Sequence, residues 1–470
     1  MTSVNTAIAT DEIVAAPPLG QAVRVWARIG CLSFGGPAGQ IALMHKVVVE
    51  EKRWISEERF LHALSYCMLL PGPEAQQLAT YIGWLMHGVR GGLLAGLLFI
   101  LPGFAVILLL SGLYAEFHET GWLTAVFFGL KAAVLAIVIE ALLRLGGRAL
   151  KNRFHHIVAA ASFLGLFLLN LPFPLVVVLA GAAGFGLARY RARQEAEPKA
   201  GPRSLPTRPT TRSIARPLLV LVGWVLIWQS PLLIVRALDA PTDLLAEALS
   251  GEANVFGAVF IFFSKMAVIT FGGAYAVLTY VAQIAVGHYA WLKPGEMLDG
   301  LALAETTPGP LVLVLCFVGF LAGYRNPVAM VPLAGGVFGA FLAAWATFVP
   351  SFVWIFAGAP FIERLRSNAM VSAALSAITA AIVGVILNLA VWFGLHVLFA
   401  EVGRVAILST GVGLPLISLA WPEWRSIDIG AVALFVAAAI MLFRFKAGVV
   451  KILGVSALAG LAIKLGEAFL

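Results

Sequence analysis

Phe34-Gly35-Gly36-Pro37 recurs, changed at its last position, as Phe271-Gly272-Gly273-Ala274, 237 positions downstream. Under the same offset Trp54 falls on Trp291 and Pro71-Gly72-Pro73 falls on Pro308-Gly309-Pro310. The register needs no gap across about 40 positions, the mark of a duplicated unit. Each unit therefore carries two glycine- or proline-rich interruptions in strongly apolar surroundings. Proline removes a backbone donor and clashes with the preceding turn, and glycine weakens what remains, so none of these segments can be one continuous helix. Within hydrocarbon, freed backbone groups are tolerated only when buried in protein or lining a wet cavity. Discontinuous helices at matched places in two halves are where membrane transporters build binding sites.

The surroundings are apolar enough to make the bilayer the solvent. The 470 residues are 61% hydrophobic and 12% charged, with a mean hydropathy of +0.94. A soluble domain is nearer half apolar and a quarter charged. Long apolar runs fit membrane-spanning α-helices rather than alternating barrel strands. The net charge of +8 is concentrated in loops and forms no basic face, so it reads as a topology signal and nucleic acid is excluded as a partner. Cys31, Cys67 and Cys316 are scattered in apolar contexts and read as packing residues. Residues 1–18 read as a polar N-terminal tail without the basic and apolar regions of a cleavable signal peptide.

The expected fold is an all-α polytopic membrane protein. Residues 19–188 form a first transmembrane repeat, 217–236 a connecting transmembrane helix and 253–470 a second transmembrane repeat. Between them, 189–216 is a basic linker carrying Arg189, Arg191, Arg193, Lys199, Arg203, Arg208, Arg212 and Arg216 against Glu195 and Glu197. The positive-inside rule makes that linker cytoplasmic, and an even number of spans before it makes the N-terminus cytoplasmic too. An odd number of crossings separates the first span of one copy from its equivalent in the other, which predicts an inverted-topology repeat. Val402–Leu419, with Gly411, Gly413 and Pro415, is expected to lie at the interface instead of spanning. That choice keeps Arg444 and Lys446 inside and gives about 13 transmembrane segments.

Ionisable groups at membrane depth cost on the order of 2.5–3.5 kcal/mol each, so each needs a reason. Arg28 and Lys265 are equivalent under the 237 offset, each six residues before its Phe-Gly-Gly. They are expected to face one site as a pair of cations, although Arg28 could equally snorkel to the interface. Helices restarting at Pro37, Pro73, Ala274 and Pro310 would present free N–H groups and positive dipole ends, the ingredients of an anion site. Phe34, Gly35, Gly36, Phe271, Gly272 and Gly273 form the break backbone in that reading. Ser33, Thr270, Thr306, Thr307, Gln40, Gln76 and Gln77 are candidate ligands, with helix capping as the competing role for the short ones. Glu74, Glu305 and Lys131 are candidates for proton or charge coupling; the two carboxylates could instead be salt-bridge partners. No metal-ligand spacing, Walker motif, His-Glu-x-x-His or Ser/His pair flanks a break, so no metal, cofactor or enzymatic chemistry is expected.

Four motifs in fixed order carry a resemblance. Phe34-Gly35-Gly36-Pro37, Pro71 to Ala79, Phe271 to Tyr275 and Glu305 to Pro310 are similar to those of the chromate ion transporter family, in its long two-domain form. The likeness covers essentially the whole chain. It implies a multi-pass protein of the bacterial inner membrane that exports chromate and confers resistance to it. Sulfate, a tetrahedral dianion of similar size, is then the implied competitor or alternative substrate. The lipid bilayer is the other partner, and a homodimer is left open. Ala274 stands where the first copy has Pro37, so the halves need not contribute equally.

Overall fold

A computed structural model of the chain describes residues 17–68, 70–194, 212–238, 254–271, 274–293, 295–328, 330–366, 369–409 and 415–469. The first copy opens with α1 (Leu19–Leu32) and α2 (Gly36–His45), which runs into a π-helical turn, Lys46–Glu51. There follow α3 (Glu57–Cys67), α4 (Glu74–Phe117), α5 (Gly121–Ala149), α6 (Arg153–Leu169) and α7 (Phe173–Gln194). α8 (Arg212–Leu238) connects the copies. The second copy begins with α9 (Val255–Ile269) and α10 (Ala274–Gln283), again ending in a π-helical turn, Ile284–His288. It continues with α11 (Glu296–Thr306), a 3-10 turn at Leu311–Leu313, α12 (Val314–Arg325), α13 (Pro332–Arg366) and α14 (Ala369–Leu398). A hairpin of β1 (Val402–Ser409) and β2 (Pro415–Pro422) precedes α15 (Ile429–Phe443) and α16 (Val449–Phe469).

The architecture is that of a multi-pass α-helical membrane protein. α4, α5, α7, α14, and the described parts Pro332–Gly358 of α13 and Val449–Glu467 of α16, are long and apolar enough to cross a bilayer. Shorter apolar helices, α6, α9 and α15 among them, accompany them. Helix ends follow local chemistry: Ser56 caps α3, Asn152 caps α6, Asn254 caps α9 and Asp428 caps α15, each accepting a first-turn N–H.

The duplication is visible at the level of single hydrogen bonds. Lys52 donates its N–H to Val47 O and Tyr289 to Ile284 O, both at 2.9 Å; Trp54 donates to Val48 O and Trp291 to Ala285 O, both at 2.8 Å. Each pair is related by 237. Arg53 and Ala290, also related by 237, both take a φ of 51°. Both tryptophans are buried, so a bulky anchor fixes the same tight exit from the same π-helical turn in each copy.

The copies interlock rather than sit side by side. α14 packs on α5, α6 and α7, while α5 packs on α11, α15 and α16. Helix α4 reaches the second copy's break, where a Cβ on Gly103 would run into the carbonyl of Pro308. Such close backbone approach through small residues is how membrane helices associate where lipid offers no hydrophobic drive.

The run Glu74–Phe117 is two helical stretches that meet at a kink, with non-helical dihedrals at His87 and Gly88. One sequence expectation needs adjusting. The expected interfacial segment Val402–Leu419 is not helical. It forms most of an antiparallel hairpin, with Val402 opposite Pro422 and Val405 opposite Leu419, the one departure from an all-α fold among the described residues. At its foot a hydrogen bond to Glu401 holds the Glu423 carboxyl above the usual carboxylate range.

The central residues of the two Pro-Gly-Pro breaks hold φ values of 114° at Gly72 and 98° at Gly309, which L side chains rarely adopt. Gly309→Ala is expected to cost about 1–3 kcal/mol and to lower the melting temperature of the detergent-solubilised protein. Gly448→Ala, where a Cβ meets nothing within 4 Å, should leave it unchanged; equal melting temperatures for the two would refute the strain argument.

Candidate functional site

The interrupted helices of the two copies satisfy each other's backbone. Gly72 donates its N–H to Thr270 O at 2.8 Å, and Gly309 donates its N–H to Ser33 O at 2.7 Å. Both donors are related by 237, and so are both acceptors. The Pro-Gly-Pro break of each copy thus pairs with the Phe-Gly-Gly break of the other. Buried backbone groups demand partners, and here the partner lies in the opposite repeat.

Three helix starts surround a small cavity at this crossing, lined by Pro37, Gln40, Pro73, Glu74, Ala75, Pro310, Leu311 and Val312. Pro37 sits in the first turn of α2, behind an N-cap Gly35 in the left-handed region. Pro73 caps α4, and Pro310 caps the 3-10 turn. Proline suits these positions because the N–H it lacks would be unpaired in any case. The remaining first-turn N–H groups bring the positive ends of their dipoles to one place. The cavity holds about 10 Å³, room for a single water molecule at most. A tetrahedral oxyanion needs several times that space, so these walls must part to admit one.

The side chains around the cavity come mostly from the first copy. Gln40 is 1% exposed and donates Nε2–H to Gly309 O at 2.6 Å, while its Oε1 is buried without a donor among the described residues. Gln77 donates to Pro71 O at 2.7 Å, bracing the first Pro-Gly-Pro. Gln76 points its amide at Thr80 at 3.5 Å. The Oε1 atoms of Gln76 and Gln77 are likewise buried and unpartnered among the described residues. Glu74 is half-buried at the first position of α4, and no hydrogen bond or ion pair holds it among the described residues. Under the 237 offset Gln40, Glu74, Gln76 and Gln77 correspond to Val277, Leu311, Leu313 and Val314. A near-symmetric backbone therefore carries a one-sided set of polar groups.

The hydroxyls have structural employment. Ser33 donates to Ile29 O at 2.6 Å and Thr270 to Met266 O at 2.5 Å. Thr306 and Thr307 both donate to Leu303 O, at 2.8 and 2.6 Å. Each tightens the last turn before a break, the competing role for these residues. Phe34, Gly35 and Gly36 are half-buried, and a Cβ on either glycine would meet nothing within 4 Å. Phe271 packs on the second copy's core, Gly272 and Gly273 lie outside the described residues, and Ala274 begins α10.

The two cations expected to face the site lie elsewhere. Arg28 is exposed and reaches Glu51 at 4.0 Å. Lys265 is exposed and lines a fissure beside α8. Lys131 is engaged with Asp299 at 3.1 Å. Glu305 accepts from Tyr275 OH at 2.5 Å, within electrostatic reach of the Glu140–Arg144 ion pair.

Sequence reasoning missed a second polar cluster. Asp299, 5% exposed, also accepts from Tyr114 OH at 2.9 Å. Glu296, 4% exposed, receives both ends of Arg325, at 2.8 and 2.6 Å, and Arg325 also donates to Trp291 O at 2.7 Å. The available signal was the presence of Glu296, Asp299 and Arg325 in a strongly apolar second copy. Bidentate geometry makes the Glu296–Arg325 pair a tie between the start of α11 and the end of α12. Arg325→Met is expected to strand a buried carboxylate and cost about 3–5 kcal/mol. Adding Glu296→Gln should recover most of that loss in thermal unfolding; a double variant as unstable as the single one would contradict the pairing.

The comparisons agree with the duplicated, interrupted architecture. The family model described as chromate transporter matches the chain twice, over residues 20–185 and 257–461. A chromate transport protein of Pseudomonas aeruginosa is 33% identical over 387 residues, covering 80% of this chain and 82% of that protein. A probable chromate transport protein of Synechococcus elongatus is 26% identical over 403 residues, 83% and 90% of the two chains. A chromate transport protein of Cupriavidus metallidurans is 28% identical over 372 residues, 78% and 80%. No solved structure matches the chain.

Proposed function

The chain belongs to the chromate transporter family, and from that premise we propose that it exports chromate across the bacterial inner membrane and confers resistance to it. Sulfate, equal in charge and close in size, competes for the same site. The two repeats, 19–188 and 253–470, are inverted relative to each other around the connecting helix 217–236. With a cytoplasmic N-terminus and cytoplasmic linker 189–216, they give about 13 spans.

The observation that carries this reading is the cavity between the starts of α2, α4 and the 3-10 turn after Pro310. Convergent helix N-termini bind oxyanions through N–H groups and dipoles without a lysine or arginine. Opening the crossing would release the N–H groups of Gly72 and Gly309 from Thr270 O and Ser33 O. Both are then donors for the entering oxyanion. The amide of Gln40 follows, since its acceptor, Gly309 O, sits on the same break. The substrate thus takes the place of protein carbonyls as acceptor, and no buried donor is left orphaned while it is bound.

Glu74 sets the coupling. A carboxylate lining an anion cavity repels a dianion in a medium of low dielectric constant. With no cation holding Glu74 among the described residues, the charge is removed by a proton, and anion and proton occupy the site together. A dianion leaving alone gains about 4.6 kcal/mol at −100 mV, twice the ~2.3 per charge. Accompanied by a proton it carries one net negative charge and gains about 2.3 kcal/mol, still outward and without ATP.

Everted membrane vesicles containing the protein should accumulate chromate under an inside-positive potential, and sulfate should compete. Gln40→Leu is expected to reduce that uptake by about ten-fold or more, the equivalent of about 1.4 kcal/mol in the transition state. Vesicles that take up no chromate above empty controls would overturn the assignment.

Sulfate binding isolates the role of Glu74, because sulfate does not titrate near neutrality. A proton bound with the anion makes wild-type affinity rise as pH falls from about 8 to about 6. Glu74→Gln should bind with little change across that range. A pH dependence that survives in Glu74→Gln moves the proton to another group.

A further inference from the structure

A fissure of about 400 Å³ runs between α8 and α9, lined by Trp228, Gln229, Phe260, Ile261, Ser264, Lys265, Val268 and Ile269. We infer that this fissure is a binding site for an anionic phospholipid of the surrounding membrane, held with its phosphate at Lys265 and an acyl chain along Ile261, Val268 and Ile269. The inference is independent of the transport reading.

Charge comes first. Lys265 is exposed and is the one charged residue of the helix Val255–Ile269, with no carboxylate or hydrogen-bond acceptor at its ammonium among the described residues. A lone ammonium on a membrane-facing surface is costly, and an anion from the lipid side removes much of that cost. A long lysine side chain snorkels toward the headgroup region, where the phosphates of the surrounding lipids are concentrated.

Hydrogen bonding points the same way. The Nε1–H of Trp228 and the Oγ–H of Ser264 are buried with no partner among the described residues, in residues only 9% and 8% exposed. Ser264 forgoes the bond to the carbonyl one turn back that Ser33 and Thr270 make. Two idle donors, the ammonium and the Gln229 amide make a wall that, among the described residues, offers donors and no carboxylate. Buried polar groups left unpaired are costly, and a phosphodiester, which only accepts, is the chemical complement of such a wall.

Shape completes the case. Ile261 is 37% exposed and Val268 is 41% exposed, one on each side of Lys265 along α9. The floor is Phe260, fully buried, and the opposite wall is Trp228 of the connecting helix. Helical side chains lean toward the N-terminal end, which draws the ammonium toward the Val255 end of α9 and leaves the apolar stripe of Val268 and Ile269 for the chain. The helix without a counterpart in either repeat, α8, thereby forms one wall of a lipid cleft.

Native mass spectrometry of the intact purified protein, titrated with phosphatidylglycerol or phosphatidylcholine of matched chains, tests this. Wild type should retain phosphatidylglycerol over phosphatidylcholine by roughly ten-fold. Lys265→Ala should bring the two close to equal, and Lys265→Arg should restore the preference. Val268→Trp, which fills the groove and keeps every charge, should lower retention of both lipids. The inference fails if Lys265→Ala retains phosphatidylglycerol as wild type does. It fails equally if millimolar inorganic phosphate displaces the lipid, since the occupant would then be a soluble anion.

Discussion

A polypeptide that breaks its helices inside a membrane has to find hydrogen-bond partners for the groups it frees, and here each half of the chain supplies them to the other. The N–H of Gly72 closes on Thr270 O and that of Gly309 on Ser33 O. Neither half could bury its Pro-Gly-Pro alone without an orphaned donor, at about 1–3 kcal/mol apiece. This mutual dependence accounts for the interlocking of α5 with the second copy and α14 with the first. It also accounts for Gly103, whose missing side chain lets α4 lie against Pro308. Duplication is thus a condition of stability as well as a record of origin.

On that shared frame the copies have diverged in opposite senses. After its Pro-Gly-Pro the first copy has Glu74, Gln76 and Gln77, where the second has Leu311, Leu313 and Val314. Before its Pro-Gly-Pro the second copy has Glu305, where the first has Met68. Similar backbone turns therefore enclose a polar set on one side and an apolar set on the other. A site with two equal faces would hold an anion equally from both; a one-sided site can tie the binding step to a single titratable group. The second copy spends its charges differently, pairing Glu296 with Arg325 and Asp299 with Lys131, so its ionisable residues brace helices.

Much of this was legible in the sequence, and the limits have physical causes. The breaks were legible because proline and glycine act on their own backbone, and the 237 offset located all four at once. Their mutual pairing was not, since a bond between Gly72 and Thr270 spans almost two hundred residues and leaves no local pattern. Arg28 and Lys265 show the hazard of reading a repeat too literally. Equivalent positions in sequence share backbone geometry, yet Arg28 turns to Glu51 while Lys265 faces the fissure with Trp228, a residue of the unduplicated helix. The sequence places Val402–Leu419 only at the interface, and nothing in its composition announces the paired strands that the chain forms there. The π-helical turns at Lys46–Glu51 and Ile284–His288 had no composition cue, being set by the burial of Trp54 and Trp291 beyond them.

The closed state of the crossing sets a bound on how it can open. Releasing Gly72 and Gly309 from their carbonyls without a replacement would cost about 2–6 kcal/mol, from about 1–3 for each buried donor. The electrical gain for one net charge at −100 mV, about 2.3 kcal/mol, is at the bottom of that range. An empty carrier would therefore open seldom. In the proposed transport reading, an oxyanion accepting from the same two N–H groups would cancel most of the cost, so opening and binding would become one event. That coupling would suppress leakage of other solutes: chloride, with a single charge and no array of oxygens, could satisfy the two donors only poorly. Selectivity for a tetrahedral dianion would then arise from what it replaces, two carbonyl oxygens belonging to opposite halves of the chain, more than from any side chain that touches it.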